Sequence, residues 1–192
     1  RYVSKNVVGI LPGSKRPDEY VIHSAHWDHL GRCHADASGD DICNGAIDNA
    51  AGVGAILALA EAHHKAGPTA RSLVFLALTA EEQGLLGSEY YAANPIFPLN
   101  RTVGGLNIDT PLLGGPARDV TVVGAGKNDV EAFLAKALQV QGRSASPDPS
   151  PEAGFYYRSD HFSFAKRGVP MLYLEGGRDF VDGGRAAGDL YY

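Results

Sequence analysis

The sequence is poor in basic residues and in long apolar runs. Lys and Arg number 17 against 22 Asp and Glu, which gives a formal net charge of -5. Binding to nucleic acid or to an anionic membrane requires a patch of basic side chains, and no segment gathers one. The longest nearly apolar run, 52–60, is far shorter than the ~20 residues that span a bilayer. The first residues, RYVSKN, lack the apolar core of a signal peptide. We therefore expect neither a nucleic-acid partner nor a membrane span.

Cysteine is also scarce, with only Cys33 and Cys43 in one Gly- and Asp-rich stretch. A zinc site built on thiolates normally has further Cys or His ligands close by, so the pair favours a disulfide that closes a short loop. Disulfides persist in oxidising compartments, and we expect a periplasmic or secreted protein. Two free thiols in a cytosolic protein are the alternative.

The apolar content is sufficient for one sizeable core, since 44% of the 192 residues are hydrophobic and 20% are charged. This composition excludes intrinsic disorder as the overall state. Segments rich in β-branched and aliphatic residues and bounded by turn formers predict strands at 6–11, 20–26, 72–79, 103–109, 119–123 and 169–174. Helical patterns lie at 49–65, 83–93 and 128–141.

This alternation predicts an α/β fold, a three-layer sandwich with a mixed, largely parallel central sheet flanked by helices. The turn at Pro12, Gly13 and Ser14 predicts that the first two strands form an antiparallel hairpin at one edge. Segment 142–154 is rich in Pro and Ser, and we expect it to be a long loop.

Metal-ligating residue types stand where several of the strands are predicted to end. They are His26 and Asp28 after the second strand, Glu81 and Glu82 after the third, Asp109 after the fourth, Asp48 before the long helix, and His161 after the Pro-rich loop. Each has an ordinary explanation by itself, such as a helix N-cap, a solvated first turn or a buried histidine. Together they favour a site, because ligands of open α/β sheets bind at the carboxyl ends of the strands.

Histidine and carboxylate ligands without thiolates are typical of catalytic zinc. Three carboxylates and two histidines exceed the needs of one ion and suit two ions roughly 3.5 to 4 Å apart that share a carboxylate and a hydroxide. Adjacent side chains at a strand end point in different directions, so one carboxylate of the Glu81–Glu82 pair can bind metal while the other acts as general base. Asp28 can accept the imidazole N–H of His26 and fix its tautomer.

Competing motifs are incomplete. The GSEYY segment from Gly87 lacks the second glycine of a serine-hydrolase nucleophile elbow. The Gly124-Ala125-Gly126 run lacks the third glycine of a dinucleotide fingerprint, and the chain contains no HExxH.

Five blocks resemble the successive metal-site blocks of the aminopeptidase Y and bacterial leucyl aminopeptidase family of two-zinc exopeptidases. They are HSAHWDHLG at 23–31, GAIDNAAGVGAILALAEA at 45–62, LTAEEQGLLGSEYYA at 78–92, LNIDT at 106–110 and YYRSDHFSFAKRGVP at 156–170. The resemblance spans nearly the whole chain in the family's order. It implies a zinc-dependent aminopeptidase that acts on peptides with a free N-terminus.

The resemblance also implies roles for individual residues. Asp48 would bridge the two ions, with His26 and Asp109 completing one site and Glu82 and His161 the other. Glu81 would be the general base and Asp28 the residue that orients His26, and the Asp48–Asn49 peptide bond would be cis.

The chain departs from the family pattern in two respects. Several relatives carry an oxyanion-stabilising tyrosine before the last histidine ligand, where this chain has Asp160, so Tyr156 or Tyr157 would have to take that role. The resemblance further implies that 1–192 is a single catalytic domain, truncated at its C-terminus and without a protease-associated domain.

Other functions on the same fold remain open. They are a carboxypeptidase, a dipeptidase, an activity like that of glutaminyl cyclases, or a catalytically silent interaction domain. Silent relatives have lost metal ligands, whereas this sequence keeps all five expected ligand residues and the base.

Overall fold

Strands and helices alternate along the residues that the computed structural model describes, 3–111 and 114–191. In chain order they are β1 (Val7–Leu11), β2 (Arg16–His26), β3 (Gly31–Arg32), β4 (Ile42–Cys43), α1 (Gly52–Ala66), β5 (Arg71–Leu78), α2 (Leu86–Ala93), β6 (Thr102–Ile108), β7 (Asp119–Val122), α3 (Glu131–Val140), β8 (Ser144–Pro147), α4 (His161–Ala165), β9 (Met171–Gly176) and α5 (Gly184–Tyr191). All six strands and three helices predicted from the sequence are present, with ends shifted by a few residues.

One seven-stranded sheet has the order β1-β5-β2-β6-β9-β7-β8. Its centre is parallel, because β2 pairs in parallel with β5 and β6, and β6 pairs in parallel with β9. The edges are antiparallel to this centre, β1 against β5 on one side and β7 against β9 on the other. The prediction of a mixed, largely parallel sheet is confirmed. Four parallel strands therefore end side by side at one edge of the sheet.

The side chains of β5 show how the sheet becomes the middle of three layers. Leu76 and its neighbours on one face pack with Tyr91 of α2 and Phe164 of α4. Leu73 and Phe75, on the opposite face, pack with Ile56 of α1. Alternate residues of a strand point to opposite faces, so an apolar strand such as β5 needs helices on both sides. Each such buried side chain contributes about 1.5–3 kcal/mol.

The predicted hairpin between the first two strands is wrong in its pairing, although β1 is an antiparallel edge strand as expected. Strand β5 lies between β1 and β2 and pairs with both. The turn wraps around the start of β5, where the Gly13 amide donates to Ser72 Oγ and the Ser14 amide donates to the Thr69 carbonyl. Because β5 is the most continuously buried strand, it occupies the inner position.

The segment 142–154 is more ordered than predicted. Its first part forms β8, which pairs in parallel with β7 at the edge of the sheet. The strand is short and lacks the apolar alternation that would predict it from the sequence. Proline has no backbone N–H to pair, so Pro147 is acceptable at the edge of the sheet. Only the residues after β8 are irregular, apart from a 3₁₀ turn at Pro151–Ala153.

Cys33 and Cys43 form a disulfide, as predicted, with their Cα atoms 5.9 Å apart. The bond closes a loop beside the two-stranded β3–β4 ribbon, in which Gly31 pairs with Cys43. None of the described helices is both long and apolar enough to cross a membrane.

Candidate metal centre

The ends of the parallel strands bring most of the expected ligands to one place. His26 is the last residue of β2, Asp109 follows the last residue of β6, and Glu81 and Glu82 follow β5. Asp48 comes from the segment Ala46–Ala51 before α1, whose backbone departs from helical geometry at Asp48 and Asn49. The Asp48–Asn49 peptide bond is cis, as the resemblance implies.

A first group consists of His26, Asp48 and Asp109. The Nε2 atom of His26 lies 3.0 Å from Asp48 Oδ1 and 3.1 Å from Asp109 Oδ1. Burial by itself lowers the pKa of His26, but the hydrogen bonds to Asp109 and Asp48 outweigh burial and raise the pKa to about 11. The two carboxylates thus create a strongly negative environment that favours a cation at this position.

A second group consists of His29, Asp48 and Glu82, and it shares Asp48 with the first. His29 Nδ1 lies 2.6 Å from Glu82 Oε1 and 3.9 Å from Asp48 Oδ2. The two oxygens of Asp48 therefore face different groups, Oδ1 towards His26 and Oδ2 towards His29. Sequence reasoning missed His29, although it lies only three residues after His26 in the same strand-end block.

The second group has the chemistry of a cation site. Glu82 Oε1 and His29 Nδ1 are both buried, yet neither makes a hydrogen bond of good geometry within the described chain. Buried polar atoms are normally satisfied, and a carboxylate oxygen and an imidazole nitrogen that face each other without a well-formed hydrogen bond are suitable zinc ligands. The residues present therefore fit divalent zinc in both groups.

His161 does not join either group. It is the first residue of α4, fully buried, with its ring 4.6 Å from that of Tyr173 and 4.9 Å from that of Tyr156 between centroids. Burial lowers the pKa of His161 to about 4, against smaller opposing effects of the Tyr156 backbone and Asp109, so the ring is neutral. The expected grouping of His161 with Asp48 and Glu82 is therefore not seen among the described residues.

Glu81 lines the same cavity as Asp48, Glu82 and Asp109. Burial and the neighbouring charge of Asp109 raise the pKa of the Glu81 carboxyl to about 8, although His26 opposes this shift. A carboxyl group whose pKa lies near neutrality can both accept and return a proton.

Two residues with positive φ flank the ligands at these strand ends, Ala80 at 55° and Thr110 at 45°. Such backbone strain is concentrated at functional sites.

Asp28 orients His26 differently from the expected way. His26 Nδ1 lies 3.0 Å from the backbone carbonyl oxygen of Asp28 and 3.8 Å from its carboxylate. The carboxylate instead accepts hydrogen bonds from the backbone amides of Glu81, at 3.1 Å, and Glu82, at 3.3 Å. Asp28 therefore connects the end of β2 to the turn that carries Glu81 and Glu82.

A cavity of about 600 Å³ opens over the two groups. It is lined by Asp48, Glu81, Glu82, Asp109, Thr110, Ser150, Phe155, Arg158, Tyr173, Glu175 and Arg178. Tyr156 and Tyr157, the expected oxyanion residues, are not among these lining residues, and Asp160 is fully buried. The tyrosine of the cavity is Tyr173, where burial raises the pKa of the phenol far above its usual range and keeps the hydroxyl protonated.

Comparison with known proteins identifies the family and the fold. Residues 6–189 match the model of Peptidase family M28. A probable zinc metalloprotease of Pyrenophora teres f. teres is 42% identical over 88 residues, 45% of this chain and 18% of that protein. The solved zinc aminopeptidase of Bacillus subtilis superposes with a TM-score of 0.64 at 23% identity, over 90% of this chain and 40% of that chain.

A glutaminyl cyclase from an Acidobacteriales bacterium also shares the fold, with a TM-score of 0.62 at 19% identity, over 96% of this chain and 62% of that chain. The chain thus spans less than two thirds of the length of each of these proteins. The family match covers nearly all of the described residues and includes every strand end that carries a candidate ligand. The chain belongs to peptidase family M28, a family of metal-dependent peptidases.

Proposed function

We propose that the protein is a two-zinc exopeptidase that removes N-terminal residues from peptides. The observation that carries this proposal is the position of Asp48, whose two carboxylate oxygens face two separate ligand groups at the carboxyl ends of parallel strands. His26, Asp48 and Asp109 would hold one ion. Asp48 and Glu82 would hold the other, with His29 as the nitrogen donor that lies nearest among the described residues.

Zinc bound at such a centre supplies a Lewis acid for the scissile carbonyl and lowers the pKa of water. The chain's own contribution to proton transfer comes from Glu81. Its carboxylate would accept the proton of the attacking water and then deliver it to the leaving amine. Asp28 holds the Glu81 backbone in place through the amide hydrogen bond. The neutral phenol of Tyr173 can donate a hydrogen bond to the oxygen of the reacting carbonyl.

A carboxylate in the cavity supports recognition of an amino terminus. Glu175 lines the cavity and is half-buried. Burial and the charge of Asp148 raise the pKa of Glu175, although Arg178 opposes this shift. A substrate ammonium group beside Glu175 would favour its charged form. Glu175 thereby offers an anchor for a free N-terminus, whose recognition is the defining property of an aminopeptidase.

A carboxypeptidase or dipeptidase is the second candidate, because Arg158 and Arg178 also line the cavity and suit a free carboxylate. The shared fold of a glutaminyl cyclase makes cyclisation of N-terminal glutamine a further alternative.

The disulfide supports action in an oxidising compartment, in the periplasm or outside the cell.

The test is a panel of aminoacyl chromogenic substrates, with and without a chelator, followed by peptides with blocked ends. We expect chelator-sensitive release from free N-termini, loss of activity on N-acetylated peptides, and unchanged activity on C-amidated ones. Cleavage of N-acetylated peptides together with loss of activity on C-amidated peptides would refute the aminopeptidase proposal. Formation of pyroglutamate without cleavage would instead identify a cyclase.

A further inference from the structure

A small β-ribbon beside the metal centre, formed by β3 and β4, joins two of its ligand segments. His29 lies two residues before β3, and Asp48 lies five residues after β4. The Cys33–Cys43 disulfide closes the loop between them, with a sequence separation of 10. Both cysteines are only partly buried, so a reductant can reach the bond. The chain therefore leaves the second ligand group at His29, runs through the disulfide-bonded loop and returns to the same group at Asp48.

Few interactions other than the disulfide hold this ribbon together. β3 and β4 have two residues each and form a sheet of their own, and a two-stranded ribbon is marginally stable in water by itself. The ion pair between Arg32 and Asp41 is largely exposed, and such pairs contribute little. None of residues 30–44, all of which the structure describes, belongs to either hydrophobic core cluster. The disulfide is therefore the main constraint on the loop.

The returning end of the ribbon packs directly on the second ligand group. Gly45 has a φ of 64° and approaches His29 so closely that a Cβ atom at Gly45 would lie 2.7 Å from the Cβ atom of His29. The Gly45 carbonyl oxygen accepts a hydrogen bond from the Ala50 amide at 3.0 Å, which ties Gly45 to the turn that carries Asp48. A shift of the ribbon would therefore move His29 and Asp48 relative to each other.

The first ligand group depends much less on the ribbon. His26 is the last residue of β2 and Asp109 follows β6, and these two strands pair with each other inside the seven-stranded sheet. Of the first group only Asp48 flanks the ribbon, whereas two of the three residues of the second group, His29 and Asp48, flank it. Loosening of the ribbon should therefore disturb the second group far more than the first.

We propose that the Cys33–Cys43 disulfide is a positioning element that gives the second ligand group its zinc affinity, and that it thereby couples zinc loading of this group to oxidation of the cysteine pair. On oxidation the two thiols pass two electrons and two protons to a small-molecule disulfide, which becomes two thiols, and the Cys33–Cys43 bond forms. The oxidised chain has its loop ordered before zinc binds, whereas the reduced chain must order the loop on binding and binds zinc more weakly. A chain kept reduced would hold zinc tightly in the first group alone. The proposal rests on the proposed function only in that the second group is taken as a zinc site.

Zinc affinity of the purified chain in its oxidised and reduced states, measured by competition with a fluorescent chelator, tests this proposal. The reduced state is prepared with a dithiol, alkylated with iodoacetamide and freed of reagents, because free thiolates are themselves zinc ligands. We expect one of the two zinc affinities to weaken by about 10- to 100-fold, the usual range when groups that position metal ligands are lost, and the other to change by less than about 2-fold. The Cys33→Ser, Cys43→Ser double variant should reproduce the reduced state.

His29→Asn identifies which of the two affinities belongs to the second group. This variant lacks a ligand of that group and should bind one zinc ion tightly. Reduction and alkylation should leave its affinity for the remaining ion unchanged, because neither His26 nor Asp109 flanks the ribbon. A fall in this affinity would place the effect at the first group and overturn the proposal.

Leu138→Ala is the control for a general loss of stability. Leu138 is buried on α3, outside the ribbon, the ligand groups and the cavity lining. Its truncation destabilises the fold through a cavity in the core and should leave both zinc affinities unchanged. Near-UV circular dichroism shows which forms are folded, and the reduced and alkylated wild type carries the test if the double variant does not fold. Loss of the fold in both would overturn the proposal, because the disulfide would then serve the whole fold rather than one site.

Equal zinc affinities of the oxidised and reduced chains, or equal weakening of both sites, would overturn the proposal even in a chain that hydrolyses peptides. The same holds if Leu138→Ala weakens zinc binding as much as the double variant does. Selective weakening in a chain that shows no peptidase activity would support the positioning role and refute the proposed function. A wild-type chain that binds fewer than two zinc ions would overturn both.

Discussion

The buried imidazole of His23 makes the free energy of unfolding depend on pH. Its ring stacks on that of Phe75, with centroids 5.2 Å apart, and lies 6.3 Å from the ring of His63. Its Nδ1 atom is buried without a hydrogen-bond partner among the described residues. Burial, reinforced by the charge of His63, lowers the pKa of His23 from 6.5 to about 4. The folded protein therefore holds this imidazole neutral.

The sign of the effect follows from which state binds the proton first. As the pH falls below 6.5 the unfolded chain becomes protonated at His23, while the folded chain resists protonation until about pH 4. The stability due to neutral His23 is therefore complete above pH 6.5 and is lost as the pH falls towards 4. At 1.36 kcal/mol for each unit of pKa difference, the loss is about 2 kcal/mol at about pH 5.

Denaturant unfolding of the metal-free chain at about pH 7.5 and about pH 5 measures this loss. His23→Phe keeps an aromatic ring against Phe75 but has no proton to bind, so we expect it to lose about 2 kcal/mol less than the wild type between the two pH values. His64→Gln, at an exposed histidine of α1, is the control and should behave as the wild type does. Equal losses for wild type and His23→Phe would refute the reasoning.

Three further predictions concern the second ligand group, the disulfide and the core. His29→Asn should lower the zinc content from two ions per chain towards one, and unchanged zinc content in mass spectrometry of the native protein would refute its role as a ligand. Alkylation without reductant should leave Cys33 and Cys43 unmodified, and the Cys33→Ser, Cys43→Ser double variant should lose about 3 kcal/mol of unfolding free energy, from the entropy of closing so short a loop. Ile56→Ala should cost about 2–5 kcal/mol, because Ile56 is buried between α1 and the sheet. Leu57→Ala, at an exposed position on the same helix, should cost far less.

Much of the fold could be predicted because its determinants are local. The unbroken apolar run in β5 and the turn residues around it identify a strand buried on both faces. The pairing of β1 could not be predicted in this way. The turn after β1 is compatible with a hairpin, and only the tertiary requirement for partners on both sides of β5 places that strand between β1 and β2.

The candidate site could likewise be predicted only in part, where local sequence determines it. Strand ends are readable from the sequence, and four of the five expected ligands, those at positions 26, 48, 82 and 109, lie in the two groups. Which histidine approaches Glu82 depends on the path of the chain after β2, and the structure places His29 there rather than His161. Likewise the family pattern, with Asp160 in place of its tyrosine, left Tyr156 or Tyr157 as the expected oxyanion residue, whereas Tyr173 reaches the cavity from β9, a strand whose side chains no motif marks.

The most direct test of the two-zinc peptidase proposal is to measure zinc content and peptidase activity together in the wild type and in Glu81→Gln. We predict two zinc ions per chain in both proteins, activity in the wild type that is abolished by a chelator and restored by zinc, and turnover in Glu81→Gln reduced by about 10²–10⁴-fold, the usual contribution of a general base. Wild-type turnover by Glu81→Gln, or peptidase activity that survives complete removal of zinc, would contradict the account.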